Sequence, residues 1–212
     1  DYLADILGLK KNDVVSVVER MRQEGILADT KDISAYLNDA GESEHKSKRL
    51  LEQFTKLERY ILNNIPDDVL RISCKQLNDN AQKEGITSAT EKDIRTLLYF
   101  LTIKGYARKK EDAAHNIEVV RQADLDTIIK RFEKRLAICQ FAVEWLFSQT
   151  LSSAVEEEKK RGVQFSIVEL LNDIKKSSNL FCSLQDVQLE DVEESLLYLS
   201  KIGALKLEGG FL

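Results

Sequence analysis

Two histidines, His45 and His115, and three cysteines, Cys74, Cys139 and Cys182, are the side chains of this 212-residue chain best suited to hold a metal or to attack an electrophile. Zinc and disulfide frameworks need such residues closely spaced, and these five lie far apart. Cys139 also falls within an apolar helical stripe, the place of a small core residue rather than a nucleophile. The sequence contains no Gly-rich loop ending in Gly-Lys-Ser/Thr, no Gly-x-Gly-x-x-Gly after a strand, no Gly-x-Ser-x-Gly elbow and no His-Glu-x-x-His helix. No catalytic residue, metal or cofactor is expected in this segment. What remains is binding. Lys92, Arg95, Thr96, Tyr99 and Thr102, followed by Arg108, Lys109, Lys110 and His115, bring cations, hydroxyls and an aromatic ring together. Cations neutralise phosphates, hydroxyls hydrogen-bond them, and an aromatic ring stacks on a base. A second set, Lys10, Lys11, Asn12, Ser16 and Arg20, is interrupted by Asp13 and Glu19.

The cations are unevenly spread. Residues 1–40 hold five basic and eight acidic side chains, 41–123 fifteen and thirteen, and 124–212 eleven and fifteen, giving −3, +2 and −4. A total of −5 excludes a surface that grips nucleic acid or anionic lipid throughout, but leaves room for a local basic patch. In the last segment Glu190, Asp191, Glu193 and Glu194 stand where a DNA-reading helix would need cations, so that segment is expected to pack or to dock protein. The longest apolar run, 97–101, is far short of the roughly 20 residues of a membrane span, and no targeting peptide is visible. Scattered cysteines suit a reducing, cytoplasmic setting. Asp1 opens a helical pattern and Leu212 stops within a strand-like one, so the chain is expected to be a piece of a longer parent.

These side chains need elements to position them. One proline and nine glycines, with 43% hydrophobic and 32% charged residues, favour long helices in a globular fold. Three windows, 13–25, 93–105 and 191–203, share an Asp at the start and a Gly at the end. Between them Val14, Val17, Val18 and Met21 match Ile94, Leu97, Leu98 and Leu101, and then Val192, Ser195, Leu196 and Leu199. These positions share one helical face, which only Ser195 interrupts. Asp suits a helix N-terminus and Gly a left-handed C-cap. The Lys92 to Thr102 set falls on the face opposite the stripe.

A shorter helix is predicted before each window, at 2–7, 69–83 and 166–176, and strand-like residues follow each Gly. Helix, turn, helix, Gly and hairpin is the winged-helix plan. The fold class expected is mainly α with small β-hairpins, in tandem winged-helix (helix-turn-helix plus wing) units. Residues 1–40 form a partial unit, and 41–123 the unit with the most basic surface. Residues 124–212 form a unit led by a long helix, 125–151, and truncated in its wing. Residues 40–48 read as a linker or exposed turn, 50–64 as the opening helix of the second unit, and 156–161 as a charged helical extension. The middle hairpin is predicted at 106–110 and 117–121, the last at 208–210. An α-helical array whose C-caps coincide is the alternative.

Two resemblances add to this reading. Residues 3–9, Leu-Ala-Asp-Ile-Leu-Gly-Leu, leading to 18–27, Val-Glu-Arg-Met-Arg-Gln-Glu-Gly-Ile-Leu, are similar to the helix-turn-helix of many bacterial winged-helix regulators. Residues 197–212, Leu-Tyr-Leu-Ser-Lys-Ile-Gly-Ala-Leu-Lys-Leu-Glu-Gly-Gly-Phe-Leu, resemble a stretch of large bacterial RecQ-type ATP-dependent DNA helicases. In that family it lies in an accessory winged-helix-rich region outside the motor domains. The resemblance implies a parent that hydrolyses ATP and unwinds DNA, while this piece positions the duplex or fork. The family's hairpin can separate strands with an aromatic tip; here the tip is acidic and offers only His115, and the family's four-cysteine zinc module is absent. The function expected is that of a non-catalytic DNA-binding accessory region, partnered by duplex or forked DNA and by the remainder of the parent, with no membrane. A protein–protein interaction module and a transcriptional regulator are the alternatives.

Overall fold

The computed structural model of the chain describes residues 10–23, 32–36, 43–66, 69–86, 89–103, 105–111, 116–152, 162–177, 184 and 186–208. Their order is α1 (Lys11–Gln23), β1 (Asp32–Tyr36), α2 (Ser43–Asn64), β2 (Val69–Ser73), α3 (Cys74–Lys83), α4 (Glu91–Thr102), β3 (Ala107–Glu111), β4 (Asn116–Arg121), α5 (Leu125–Ser152), β5 (Gly162–Ser166), α6 (Ile167–Ser177), α7 (Leu189–Lys201) and β6 (Lys206–Glu208). The fold is mainly helical, with two three-stranded antiparallel sheets ordered β2-β4-β3 and β5-β1-β6. No helix among the described residues is long and apolar enough to cross a membrane.

In the second and third windows the Asp and Gly positions of the repeat do what their chemistry predicts. Asp93 accepts from the Thr90 backbone N–H at 2.9 Å while its own N–H donates to the Thr90 hydroxyl at 3.3 Å, a reciprocal cap. Asp191 accepts from the Gln188 N–H at 2.9 Å. Gly105 and Gly203 close α4 and α7 at φ +72° and +78°, where a side chain would be strained. Gly25, the predicted helix 2–7, the extension 156–161 and the hairpin tip at 209–210 lie outside the described residues.

Two expectations are corrected. Residues 69–73 are a strand, not the start of a helix, because Ser73 ends β2 and caps α3 by accepting from the Gln76 N–H at 3.0 Å. Residues 43–48 are the first turns of α2 rather than a linker. Ser47 is buried there, and its hydroxyl donates to the Ala204 carbonyl at 2.6 Å.

The same succession of elements occurs twice. Helix α2, β2, α3, α4 and β3 correspond to α5, β5, α6, α7 and β6. Ser166 ends β5 as Ser73 ends β2, and accepts from the Val168 N–H at 3.2 Å. Cys74, Leu77 and Ala81 on α3 are buried at the positions that Ile167, Leu170 and Ile174 hold on α6. The middle strand is where the two halves differ. In the first sheet it is β4, the return strand of a hairpin; in the second it is β1, from residues 32–36. Thus the second sheet joins a segment of the expected first unit to strands of the expected third. Strand pairing is satisfied by register rather than by nearness in sequence, which is why the boundary drawn from the repeat at residue 40 does not show it.

One hydrophobic core runs through both halves. The stripe residues Ile94, Leu97, Leu98 and Leu101 are buried, as are Val192, Leu196 and Leu199. Ser195, which interrupts the stripe, is fully buried: its hydroxyl donates to the Asp191 carbonyl at 2.7 Å and its carbonyl accepts from the Cys139 thiol at 3.6 Å. A small residue here lets α7 approach α5 closely. Ser195→Leu is therefore expected to overpack that contact and cost about 1–3 kcal/mol, whereas Ser195→Ala leaves the space intact and costs less. Urea midpoints at constant slope would measure the difference.

Candidate nucleic-acid interface

A buried polar cluster is the first place to look for chemistry. Glu58 on α2, Arg135 on α5 and Tyr198 on α7 are all buried, with Cys139 one turn along α5. Arg135 Nη2 donates to Glu58 Oε1, and Tyr198 Oη donates to Glu58 Oε2 at 3.1 Å. The guanidinium lies 4.2 Å from the Tyr198 ring centroid and within 6 Å of those of Phe100 and Phe132. Burial pushes the Cys139 thiol up to about 12, with Arg135 pulling the other way. Burial also raises the Tyr198 phenol, and the Glu58 carboxylate raises it further. For Arg135 burial favours the neutral form, but the Glu58 charge outweighs it and the net shift is upward. The void beside Arg135 has a volume of about 10 Å³, room for one water at most. The cluster holds α2, α4, α5 and α7 together.

A neighbouring network uses up acidic residues of α7. Arg131 pairs with Glu194 and lies 3.6 Å from Asp191, while Lys134 donates to Asp191 at 2.6 Å. Burial works against an ionised Asp191, but the Lys134 ammonium and the Gln188 N–H outweigh it and hold the carboxyl below its ordinary range. Two of the four acids that would repel phosphate on α7 thus face α5 instead.

The sequence-predicted site residues fall into separate groups. Lys92 is exposed on the first turn of α4, while Arg95, Thr96, Tyr99 and Thr102 are half-buried along it. The hydroxyl protons of Thr96 and Thr102 go to the helix's own carbonyls, of Lys92 at 3.0 Å and Tyr99 at 2.8 Å. Phosphate oxygens only accept, so neither threonine meets one without giving up that bond. The Tyr99 ring stands edge-on to Phe100, centroids 5.4 Å apart, and packs against the core. On β3, Arg108 and Lys110 are exposed and Lys109 is half-buried, because alternate residues of a strand face opposite ways and Lys109 shares the side of buried Ala107. Lys10, Asn12, Ser16 and Arg20 are exposed at or along α1, which also includes Lys11. His115 lies outside the described residues.

The strand pairing brings in a cation that sequence reasoning missed. Arg71 on β2 is opposite Glu118 on β4, and Lys110 on β3 is opposite the same Glu118. Arg108 is opposite Val120 in the next row, which Val69 completes. Arg71, Arg108 and Lys110 therefore share the outer face of the sheet, with Glu118 between two of them. Arg71 reaches Glu118 at 3.2 Å, but both side chains are open to solvent, where such a pair is worth well under about 1 kcal/mol.

Comparison of the chain with protein-family models, with curated proteins and with solved structures finds no match. Among the described residues no three His, Cys, Asp or Glu side chains converge as metal ligands. A groove of about 600 Å³ runs between α2 and α5, lined by Leu51, Thr55, Ala137, Gln140, Phe141 and Leu184. Lys48, Glu52 and Glu144 line its rim, and Lys48 is paired with Glu144 at 3.3 Å.

Two measurements check the buried cluster. Arg135→Met leaves the Glu58 carboxylate buried without its cation and should destabilise the fold by about 3–5 kcal/mol, while the double change Glu58→Leu with Arg135→Met should recover most of that. Cys139 binds its proton more tightly folded than unfolded, so its contribution is complete below the ordinary thiol value near 9.0 and is lost as pH rises toward about 12. Unfolding free energies across that window should fall more steeply for the native chain than for Cys139→Ala.

Proposed function

We propose that residues 43–121 form a winged-helix unit that binds the phosphate backbone of duplex or forked DNA, without base-specific readout. The observation that carries this reading is the outer face of β2-β4-β3, where Arg71, Arg108 and Lys110 are exposed around one carboxylate. Helix, strand, two helices and a hairpin in the order β2-β4-β3 support the winged-helix assignment. Lys92 on α4 adds a further cation, and half-buried Arg95 and Lys109 lie at the margin. Tyr99 and the threonines are left to structural roles, and base specificity is correspondingly weak.

In this reading α7 does not enter a groove, because Asp191 and Glu194 are paired with Arg131 and Lys134 and the helix is packed on α5. The second half braces the first. The resemblance of residues 197–212 to RecQ-type helicases suggests the larger setting, an intracellular parent that uses ATP to unwind DNA while this region holds the substrate. A protein partner is the second reading. It is favoured by Val15 and Val17 on α1, which are 45% and 55% exposed.

Fluorescence anisotropy of labelled fork, duplex and single strand at 50 and 200 mM salt tests the proposal. Each phosphate contact contributes about 0.9 to the slope of log affinity against log salt for duplex DNA. The triple change Arg71→Ala, Arg108→Ala, Lys110→Ala should therefore reduce that slope by about 3 and weaken binding at least about tenfold. Thr96→Ala and Thr102→Ala should leave both unchanged. An unaltered slope in the triple variant would sink the sheet-face assignment, and no binding at 50 mM would transfer the reading to the protein partner.

A further inference from the structure

Much of the positive charge of residues 41–123 lies on α2, away from the sheet face. The helix turns Leu51, Phe54, Glu58 and Ile61 to the core. Its solvent side carries Lys46, Arg49, Lys56 and Arg59, all exposed, over about 20 Å of helix. A helix face that is merely solvated balances its charges at i, i+3 and i, i+4 spacing. This one does so within the face only at Glu52, which pairs with Lys56 at 2.8 Å. Lys46 stands three residues before Arg49, and Lys56 three before Arg59, like-charge spacings that weaken an isolated helix. Among the described residues no carboxylate pairs with Lys46, Arg49 or Arg59. The excess of cations is therefore held against the helix's own preference, and an anion from outside would offset it.

Carboxylates mark the edges of this face. Glu44 and Glu144 are both drawn to Lys48, at 2.8 and 3.3 Å, and Glu84 lies on the other flank, by Tyr60. Arg59 stands over the Phe132 ring of α5, 5.6 Å from its centroid, so the face runs along the seam between the two halves. The basic sheet face belongs instead to β2, β4 and β3, which pack on α3 and α4. Building on the sheet-face reading, we propose that the outward face of α2 is a second phosphate-binding surface. It takes one arm of a forked DNA while the sheet takes the other. The row offers ammonium and guanidinium groups without an exposed aromatic ring, which suits a regular line of backbone charge, about one per 1.7 Å of duplex, rather than base edges. A fork presents two diverging backbones, and holding both at once raises affinity through linkage alone.

The test compares the full chain on a fork with two duplex arms and on a linear duplex of equal base-pair count, by anisotropy across a salt series. The native chain should show a slope of log affinity against log salt steeper on the fork than on the duplex by about 3. Changing Lys46→Gln, Arg49→Gln and Lys56→Gln together keeps good helix formers in place. This variant should lower the fork's slope by about 3 and weaken fork binding at least about tenfold, with duplex binding within about twofold of native. Glu52→Gln, which frees Lys56, should tighten fork binding about threefold. An α2 variant with native far-ultraviolet circular dichroism that binds the fork as the native chain does overturns the proposal. So does one that weakens fork and duplex by the same factor. Should that variant fail to fold, Glu52→Gln decides, and no tightening overturns the proposal. An unaltered duplex slope in the variant Arg71→Ala, Arg108→Ala, Lys110→Ala sinks the sheet face alone, whereas an unaltered fork slope in the α2 variant sinks the α2 face alone. No binding of either DNA by the native chain overturns both.

Discussion

Glu58 sits at the meeting point of the two halves, and its carboxylate is almost completely withdrawn from water. Leaving an ionised carboxylate there alone would cost several kcal/mol, so the surrounding elements must deliver partners to both of its oxygens. Arg135 from α5 supplies one and Tyr198 from α7 the other. The guanidinium is itself buried and finds its remaining stabilisation over the rings of Tyr198, Phe100 and Phe132. Phe100 belongs to α4 and stands edge-on to Tyr198 at 5.1 Å. Four helices, two from each half, thereby share one charge. A purely apolar contact of the same size would tolerate sliding; this one has directional bonds whose loss leaves an uncompensated ion. The relative placement of α2, α4, α5 and α7 follows from that constraint.

Fixing those helices also fixes where the sheets stand. Ser47 near the start of α2 is bonded to Ala204, immediately before β6, so the first half's opening helix is tied to the second half's sheet. β1 precedes α2 and enters that same sheet. Each half needs a helix, a strand, two helices and a hairpin strand, and each needs a middle strand between the outer two. In one half the middle strand is local; in the other it is drawn from residues 32–36.

How much of this was legible in the sequence follows from how local each interaction is. The caps at Asp93 and Asp191 and the left-handed turns at Gly105 and Gly203 involve residues within a few positions of one another, and their residue types announce them. The stripe of α5 is legible for the same reason. Ile128, Phe132, Leu136, Cys139, Val143 and Leu146 recur at helical spacing, and all are buried but Leu136, which is half-buried against the core. The segment 69–73 was not, because a short apolar run fits a buried strand and a helix equally well. That ambiguity hid Arg71, which reads as one more helical cation until β2 is paired with β4. Residues 43–48 were misread for the opposite reason. Their polar composition is that of a turn, and the bond that draws Ser47 inward comes from a carbonyl 157 residues away. The place of β1 depends on partners even more distant and on a register that five residues cannot declare.

Net charge by segment shows the same limit from another side. Residues 124–212 carry −4, yet Asp191 and Glu194, which would have barred phosphate from α7, are turned onto Arg131 and Lys134 of the same segment. Their negative charge is largely spent inside the fold. Residues 41–123 carry only +2, but Arg71, Arg108 and Lys110 share one sheet face with a single intervening carboxylate. Their positive charge is presented outward. Because Asp191 and Glu194 are paired with cations of their own segment, the pairing leaves that segment's net charge as counted; what differs between the halves is which charges stand on a solvent-facing surface. An acidic chain can offer phosphate a local site when its carboxylates are engaged internally and its cations stand on a solvent-facing strand.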